Sequence, residues 1–303
     1  MTKRSYTIEA KAHALISQVL ALGQSKAALG TLVRHVIVSV GTLRSFQQCL
    51  LEFLRWRVDK GTGIDAPVIR AELDEYLRQE SARWRQKTVD QHRQALSLIF
   101  CVMLTHFEAE VPTITAGRAY SQQEMELIAS RQAPQNALGT RLAFRAGLRA
   151  AELYELREAD ELQREANRPW RSDLFAGLSD GVVYRTVGKG GLARSVWIPQ
   201  ELHRELQTRR LDTPVTIIDR KVRRVVHFKI GGGQSLSQSF SSTGGLVLGF
   251  SNGIHGCRHG YAQSRLKTLL EMGFMPIDCL EIISQEMGHL RCDISLVYTT
   301  KRK

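Results

Sequence analysis

The sequence predicts a mainly α protein of two domains, with a small β-sheet confined to the second. Three observations carry this reading. Apolar residues recur at helical spacing through residues 1–106. A stretch containing Pro112 and Gly117 then breaks the period. Two β-rich runs, Gly181–Gly188 and Ala193–Pro199, flank the turn Lys189-Gly190-Gly191. The domains are placed at 1–112 and 113–303.

In the first domain, Leu43, Phe46, Leu50, Phe53 and Leu54 form one helical stripe between Thr42 and Val58. Ala66-Pro67 opens the next segment, with Pro67 near a first-turn position, and Ile69, Leu73, Tyr76 and Leu77 line its inner face. A third segment carries Val89, Leu96, Ile99, Phe100 and Met103. Arg55, Arg57, Arg70, Arg83, Arg85, Lys87 and Arg93 occupy the other faces, which gives a basic surface. Phe107–Tyr120 reads as the interdomain linker. Helix resumes at Ser121-Gln-Gln-Glu124, a capping-box pattern. Beyond the hairpin, helices are expected at Glu201–Arg210 and from about Cys257 to Met272. Gly231–Gly245, rich in glycine and serine, reads as loop.

Composition narrows the function classes. With 303 residues, 43% hydrophobic and 24% charged, the chain is an ordinary globular one. No apolar run approaches a bilayer span, and Met1–Thr7 lacks a signal-type apolar core. A soluble protein of the cytoplasm or nucleoid is the expectation. The five cysteines are scattered singly, so reduced thiols are expected rather than a metal knuckle or disulfide. Charge is the informative quantity: 42 Lys plus Arg against 30 Asp plus Glu, a net of +12. Residues 1–112 hold 15 basic and 11 acidic side chains, and residues 113–303 hold 27 and 19. Both domains are therefore cationic, as suits a polyanion partner. Gly188-Lys-Gly-Gly-Leu-Ala193 fits a dinucleotide fingerprint by letter, but strand rather than helix follows it, and no helix N-terminus is there to meet a pyrophosphate.

Four stretches can carry chemistry. In Gly147-Leu148-Arg149-Ala-Ala-Glu152-Leu153, Glu152 is within helical reach of Arg149, whose guanidinium can grip a phosphate bidentately. Lys189 sits on a glycine-flanked hairpin tip. In His255-Gly-Cys-Arg258-His259, His255 and Arg258 share a helix face, and no third ligand at helical spacing favours a metal. Met287-Gly288-His289 stands nine residues before Tyr298. Each alone also fits a structural role: an ion pair, a solvated turn, a core histidine, a packed tyrosine.

Taken jointly, these motifs resemble those of the tyrosine recombinase (phage integrase) family: Gly-Leu-Arg-x-x-Glu-Leu, a hairpin lysine, His-x-x-Arg-His, Leu-Gly-His and a tyrosine nine residues later. Met287 replaces the usual leucine. The motifs cover about 113–303. The helical, basic 1–112 region agrees with that family's core-binding (SAM-like) DNA-binding domain.

The resemblance implies a site-specific DNA recombinase or integrase, with a helical core-binding domain and a mixed α/β catalytic domain. It implies that Tyr298 attacks the scissile phosphate to form a 3′-phosphotyrosine. Arg149 and Arg258 would hold the non-bridging oxygens, and His289 would donate to the same phosphate. Lys189 would protonate the departing 5′ oxygen, His255 would assist proton transfer, and Glu152 would orient Arg149. Fixed cations stabilise the charge of a phosphoryl-transfer transition state, and the tyrosyl ester conserves the phosphodiester energy. Neither metal nor ATP is therefore expected. The implied partners are double-stranded DNA bearing recombination sites, a homo-tetramer joined through a Holliday junction, and an accessory directionality factor. Integration or excision of a mobile element is the implied biology. Arg83, Arg85, Lys87, Arg93, Arg220, Lys221, Arg223, Arg224 and Lys229 are candidate phosphate contacts. The five residues after Tyr298 are too few for a stable docking helix, and no separate N-terminal module is expected. Two alternatives remain: type IB topoisomerase-like relaxation by a monomer, and DNA binding without catalysis.

Overall fold

The computed structural model describes residues 3–24, 26–112 and 117–289, with the backbone alone at 3–7, 26–27 and 189. Tyr298, Cys292 and linker residues 113–116 lie outside the described residues. The chain divides into two compact units, Met1–Ile114 and Thr115–Lys303.

The first unit is helical: α1 (Lys3–Ser17), the short α2 (Lys26–Leu29), α3 (Val40–Asp59), α4 (Arg70–Ser81) and α5 (Gln86–Ile99). The Ser39 hydroxyl caps α3 by accepting from the Thr42 amide at 3.1 Å. Its stripe buries Leu50, Phe53 and Leu54 against Ala12 and Ile16 of α1, Leu73, Tyr76 and Leu77 of α4, and Leu96 of α5. Each such apolar side chain stabilises the fold by roughly 1.5–3 kcal/mol.

Four expectations change here. Pro67 precedes α4 rather than opening it, because Ile69 is the N-cap residue. Ile69 is consequently 61% exposed, and Met103, beyond the end of α5, is 85% exposed. Arg57 is not on a solvated face: it is buried, with Nε donating to Glu72 at 2.7 Å and Nη2 to the Ala66 and Pro67 carbonyls. Arg57 thereby anchors the α3–α4 connection.

The stretch read as linker is packed at both ends. Gln86 Nε2 donates to the Phe107 carbonyl and Gln86 Oε1 accepts from the Ala109 amide. Tyr120 is buried in the core of the second unit.

The second unit begins with α6 (Gln122–Ser130) and α7 (Pro134–Arg145). The Ser121–Glu124 capping box forms in both directions. A 3₁₀ turn, Ala150–Glu155, leads to β1 (Arg157–Glu158), β2 (Gly181–Val187) and β3 (Ala193–Pro199), an antiparallel sheet in the order β1-β2-β3. Alternation sends Tyr184 and Thr186 of β2, and Arg194, Val196 and Ile198 of β3, into the interior. Next come α8 (Gln200–Gln207), the hairpin β4 (Arg210–Asp219) and β5 (Val222–Phe228), α9 (Gly233–Leu248), α10 (His255–Glu271) and α11 (Pro276–Glu286).

The segment 231–245, read as loop from its composition, is instead mostly helix α9. Leu236, Phe240 and Gly244 recur every four residues and are buried. The Ser235 and Ser237 hydroxyls are absorbed by the carbonyls of Gly232 and Gly233. The β4–β5 hairpin turns at Arg220 and Lys221, both with positive φ, 50° and 66°. Among the described residues no helix is long and apolar enough to cross a membrane.

Candidate active site

The site is assembled where three separate segments of the second unit meet. The first is the turn after α7. Gly147 takes φ 61°, and the Tyr261 ring lies against its Cα, so the turn needs a residue without a side chain. Arg149 follows as the N-cap residue of the 3₁₀ turn. Its amide donates to Glu152 Oε2 at 2.8 Å and its Nη1 to Glu152 Oε1 at 2.5 Å. The sequence spacing of these two residues is thus realised as a pair that fixes the guanidinium.

The second segment is the N-terminal turn of α10. His255 is its first residue, and Arg258, one turn on, is completely buried. Arg258 Nη1 donates to the Gly147 carbonyl and stands 3.6 Å from Glu152 Oε2, while Nη2 donates to the Met287 carbonyl at 2.9 Å. Arg258 therefore ties the first segment to the third.

The third segment follows α11. Met287 plugs the core with no exposed surface, Gly288 turns with φ 71°, and His289 is held by its amide on the Ser284 carbonyl at 2.7 Å. His289 Nε2 lies 3.1 Å from Arg149 Nη2 and 3.2 Å from Arg258 Nη2. A guanidinium only donates, so Nε2 is the acceptor of both and the neutral ring carries its proton on Nδ1. Burial, then Arg258, Arg149 and Arg194, hold the His289 pKa down at about 3.

His255 and His259 are also held neutral, each at about 4. Partial burial of the His255 ring acts first, followed by Arg258, His259 and Arg149. For His259 the causes are burial, then Arg118 and Arg258. The two rings meet edge to face at 5.6 Å. His255 reaches the surface, whereas His259 is buried.

Glu152 is the counter-charge of the whole arrangement. Burial raises its pKa, but Arg194, Arg258 and Arg149 overcome this and hold it at about 2. Lys189 stands in the turn between β2 and β3, and its neighbour Gly188 lies against the Glu152 carboxylate and the Arg149 guanidinium. The structure thus brings together Arg149, Glu152, Arg258 and His289, places His255 within their electrostatic reach, and sets the backbone of residue 189 beside them. Among the described residues no group of three His, Cys, Asp or Glu side chains is placed to hold a metal ion.

Two buried residues escaped the sequence reading. Arg194 bridges Glu152 and the Glu286 carbonyl. The Glu286 carboxylate takes Tyr261 and Arg265 of α10. Strand alternation with Val196 and Ile198 is the signal that would have found Arg194: it puts a charged side chain on the core face.

The candidate DNA contacts fall on both units. Arg83, Arg85 and Lys87 are exposed where α4 passes into α5, with Arg83 held by Glu80. Arg93 is half-buried and near Asp90. Arg220, Lys221 and Arg223 are exposed at the β4–β5 turn, and Lys229 is exposed just past β5. Arg224 is half-buried and bonded to Glu155 at 3.1 Å.

No family model matches the chain, and no curated protein sequence does. Solved structures do. A site-specific recombinase, XerH, bound to palindromic difH substrate in a post-cleavage complex, aligns with a TM-score of 0.58 at 15% identity, covering 98% of this chain and 91% of that one. The pre-cleavage complex of XerH with difH aligns with a TM-score of 0.55 at 14% identity, covering 100% and 95%.

Proposed function

We propose that this chain, which has the tyrosine recombinase fold, is a site-specific DNA recombinase. In this reading it cuts and rejoins strands through a 3′-phosphotyrosine on Tyr298, works as a tetramer on two duplex sites, and integrates or excises a mobile element. One observation carries the reading: Arg149 Nη2 and Arg258 Nη2 converge from different elements on one point, His289 Nε2. Two immobilised guanidiniums beside an imidazole form a seat for a phosphodiester.

The residues act as follows. The non-bridging oxygens of the scissile phosphate take the Nη2 donors that His289 holds in the DNA-free protein. Glu152 and the Gly147 and Met287 carbonyls keep both guanidiniums in place, so little reorganisation accompanies the reaction. Released from the two arginines and facing an anion, His289 Nε2 takes a proton and donates to the same phosphate. The Tyr298 oxygen attacks phosphorus, its proton leaving to His255 or to solvent, and the phosphorus–5′-oxygen bond breaks. Lys189 gives the departing oxygen its proton. Reversal with the partner strand's 5′-hydroxyl reseals the duplex. Each donor aimed at the developing charge is worth roughly 3 kcal/mol. Arg85, Lys87, Arg220, Lys221 and Arg223 supply sequence-independent phosphate contacts.

The test is covalent capture. The full chain is incubated with a randomised duplex library, DNA held to protein in SDS is recovered, and the enriched sequence is rebuilt as a nicked suicide duplex. Wild type is expected to form an SDS-stable adduct that Tyr298→Phe does not form and that Arg149→Ala forms at least about 100-fold more slowly. An undiminished adduct in Tyr298→Phe refutes the assignment.

A further inference from the structure

We infer that Arg194 is the positioning residue of this site: it sets the spacing between the Arg149–Glu152 pair and the loop that carries His289, and fixes both to the strand behind the Lys189 hairpin. The geometric part stands alone; the catalytic consequence rests on the phosphoryl-transfer reading above.

Arg194 lies on β3, five residues past Lys189, and has no exposed surface. Its Nη2 donates to Glu152 Oε2 at 2.8 Å and its Nη1 to the Glu286 carbonyl at 2.5 Å. Glu152 Oε2 is the same oxygen that accepts the Arg149 amide. Glu286 ends α11, one residue before Met287, whose carbonyl holds Arg258. One planar guanidinium thus spans, in two bonds, from the carrier of Arg149 to the carrier of His289.

A packing contact completes the bracket. Gly288, at φ 71°, lies directly on the Cδ and Nε of Arg194. A Cβ at 288 would press on Arg194, which its two hydrogen bonds hold in place, and the positive φ disfavours any residue but glycine. The hairpin is fixed from the same side, since Thr186 of β2 donates to the Glu152 carbonyl at 2.8 Å and pairs with Arg194 in the sheet.

The fork is what matters. A lysine at 194 offers one ammonium and reaches one of the two acceptors, so charge is kept while the span is lost. Because the side chain touches no solvent, it contacts neither substrate nor phosphate, and its effect travels through its partners.

Arg194→Lys and Arg194→Met in the full chain test this with four readouts: thermal melting, affinity for a random-sequence duplex, ¹⁵N NMR of the histidine rings without DNA, and adduct formation on the captured suicide duplex. Both variants are expected to bind duplex within about twofold of wild type. In both, His289 is expected to leave the doubly hydrogen-bonded Nδ1-protonated state and to titrate at higher pH. Adduct formation is expected to fall about 100-fold, as for a displacement near 1 Å, with Arg194→Lys retaining more activity than Arg194→Met. Unchanged His289 titration in a folded Arg194→Met refutes the inference, as does an adduct rate that merely tracks the folded fraction. If Arg194→Met does not fold, Arg194→Lys decides by the same criteria. If wild type forms no adduct while His289 responds to Arg194→Lys, which keeps the charge and loses the span, the positioning role holds and the recombinase reading fails.

Discussion

Replacing Glu152 with glutamine removes the one carboxylate among the described residues that lies within ion-pair distance of Arg149, Arg194 and Arg258 together. Arg194 and Arg258 have no exposed surface, so water cannot take over the lost charge. Two routes give the magnitude. Breaking a buried ion pair from one side costs about 3–5 kcal/mol. Independently, a carboxylate held at about 2 against an ordinary value of 4.5 contributes about 3 kcal/mol at neutral pH. For a unit of this size, 3 kcal/mol lowers Tm by roughly 6–12 °C.

The assay is a thermal melt of the full chain at pH 7, wild type against Glu152→Gln, with the Arg194→Met and double variants completing the cycle. The double variant is expected to be less destabilised than the sum of the singles, because each substitution removes what the other leaves unpaired. A Glu152→Gln melt within about 2 °C of wild type refutes the reasoning, as does strict additivity of the two substitutions.

His92, His259 and His289 are held below the ordinary 6.5, chiefly by burial. The unfolded chain therefore takes up protons that the folded chain refuses, and stability that is complete above pH 6.5 falls as pH drops towards 4; urea midpoints across that window check it. Lys189→Ala is expected to cleave slowly, and a 5′-thio leaving group, which needs no proton, is expected to restore the rate; absence of rescue moves the acid role to another residue. Gly147→Ala meets both a positive φ and the Tyr261 ring, so a loss of about 1–3 kcal/mol is expected in chemical denaturation. Removing Lys221 at the β4–β5 turn is expected to weaken duplex binding uniformly across sequences and to reduce the slope of log K against log salt by about one; an unchanged slope removes it from the interface.

How far the sequence discloses this molecule depends on the residue. The α3 stripe, the Ser121 capping box and the β2–β3 hairpin are local patterns, and local patterns survive folding. The α9 helix was hidden because glycine and serine favour loops by composition, while its three buried positions, Leu236, Phe240 and Gly244, are too sparse to outvote them. The β4–β5 hairpin was hidden because Arg220 and Lys221 occupy positive φ without glycine or asparagine to announce the turn. In the site, Arg149, Glu152, Arg258 and His289 stood out through their neighbours in sequence. Arg194 and Glu286 did not, because their meaning lies in long-range partners: Arg194 meets Glu152 across 42 positions and Glu286 across 92. The burial of Arg57 is illegible for the same reason, its partner Glu72 standing 15 residues away on the next helix.

The proposed recombinase forms a covalent bond between the Tyr298 oxygen and a DNA 3′-phosphate. Proteolysis of the captured complex, nuclease trimming and peptide mass spectrometry locate it directly. The expected product is a nucleotide joined through its 3′-phosphate to the peptide containing Tyr298. A nucleotide on any other residue, or one attached through its 5′-phosphate, contradicts it.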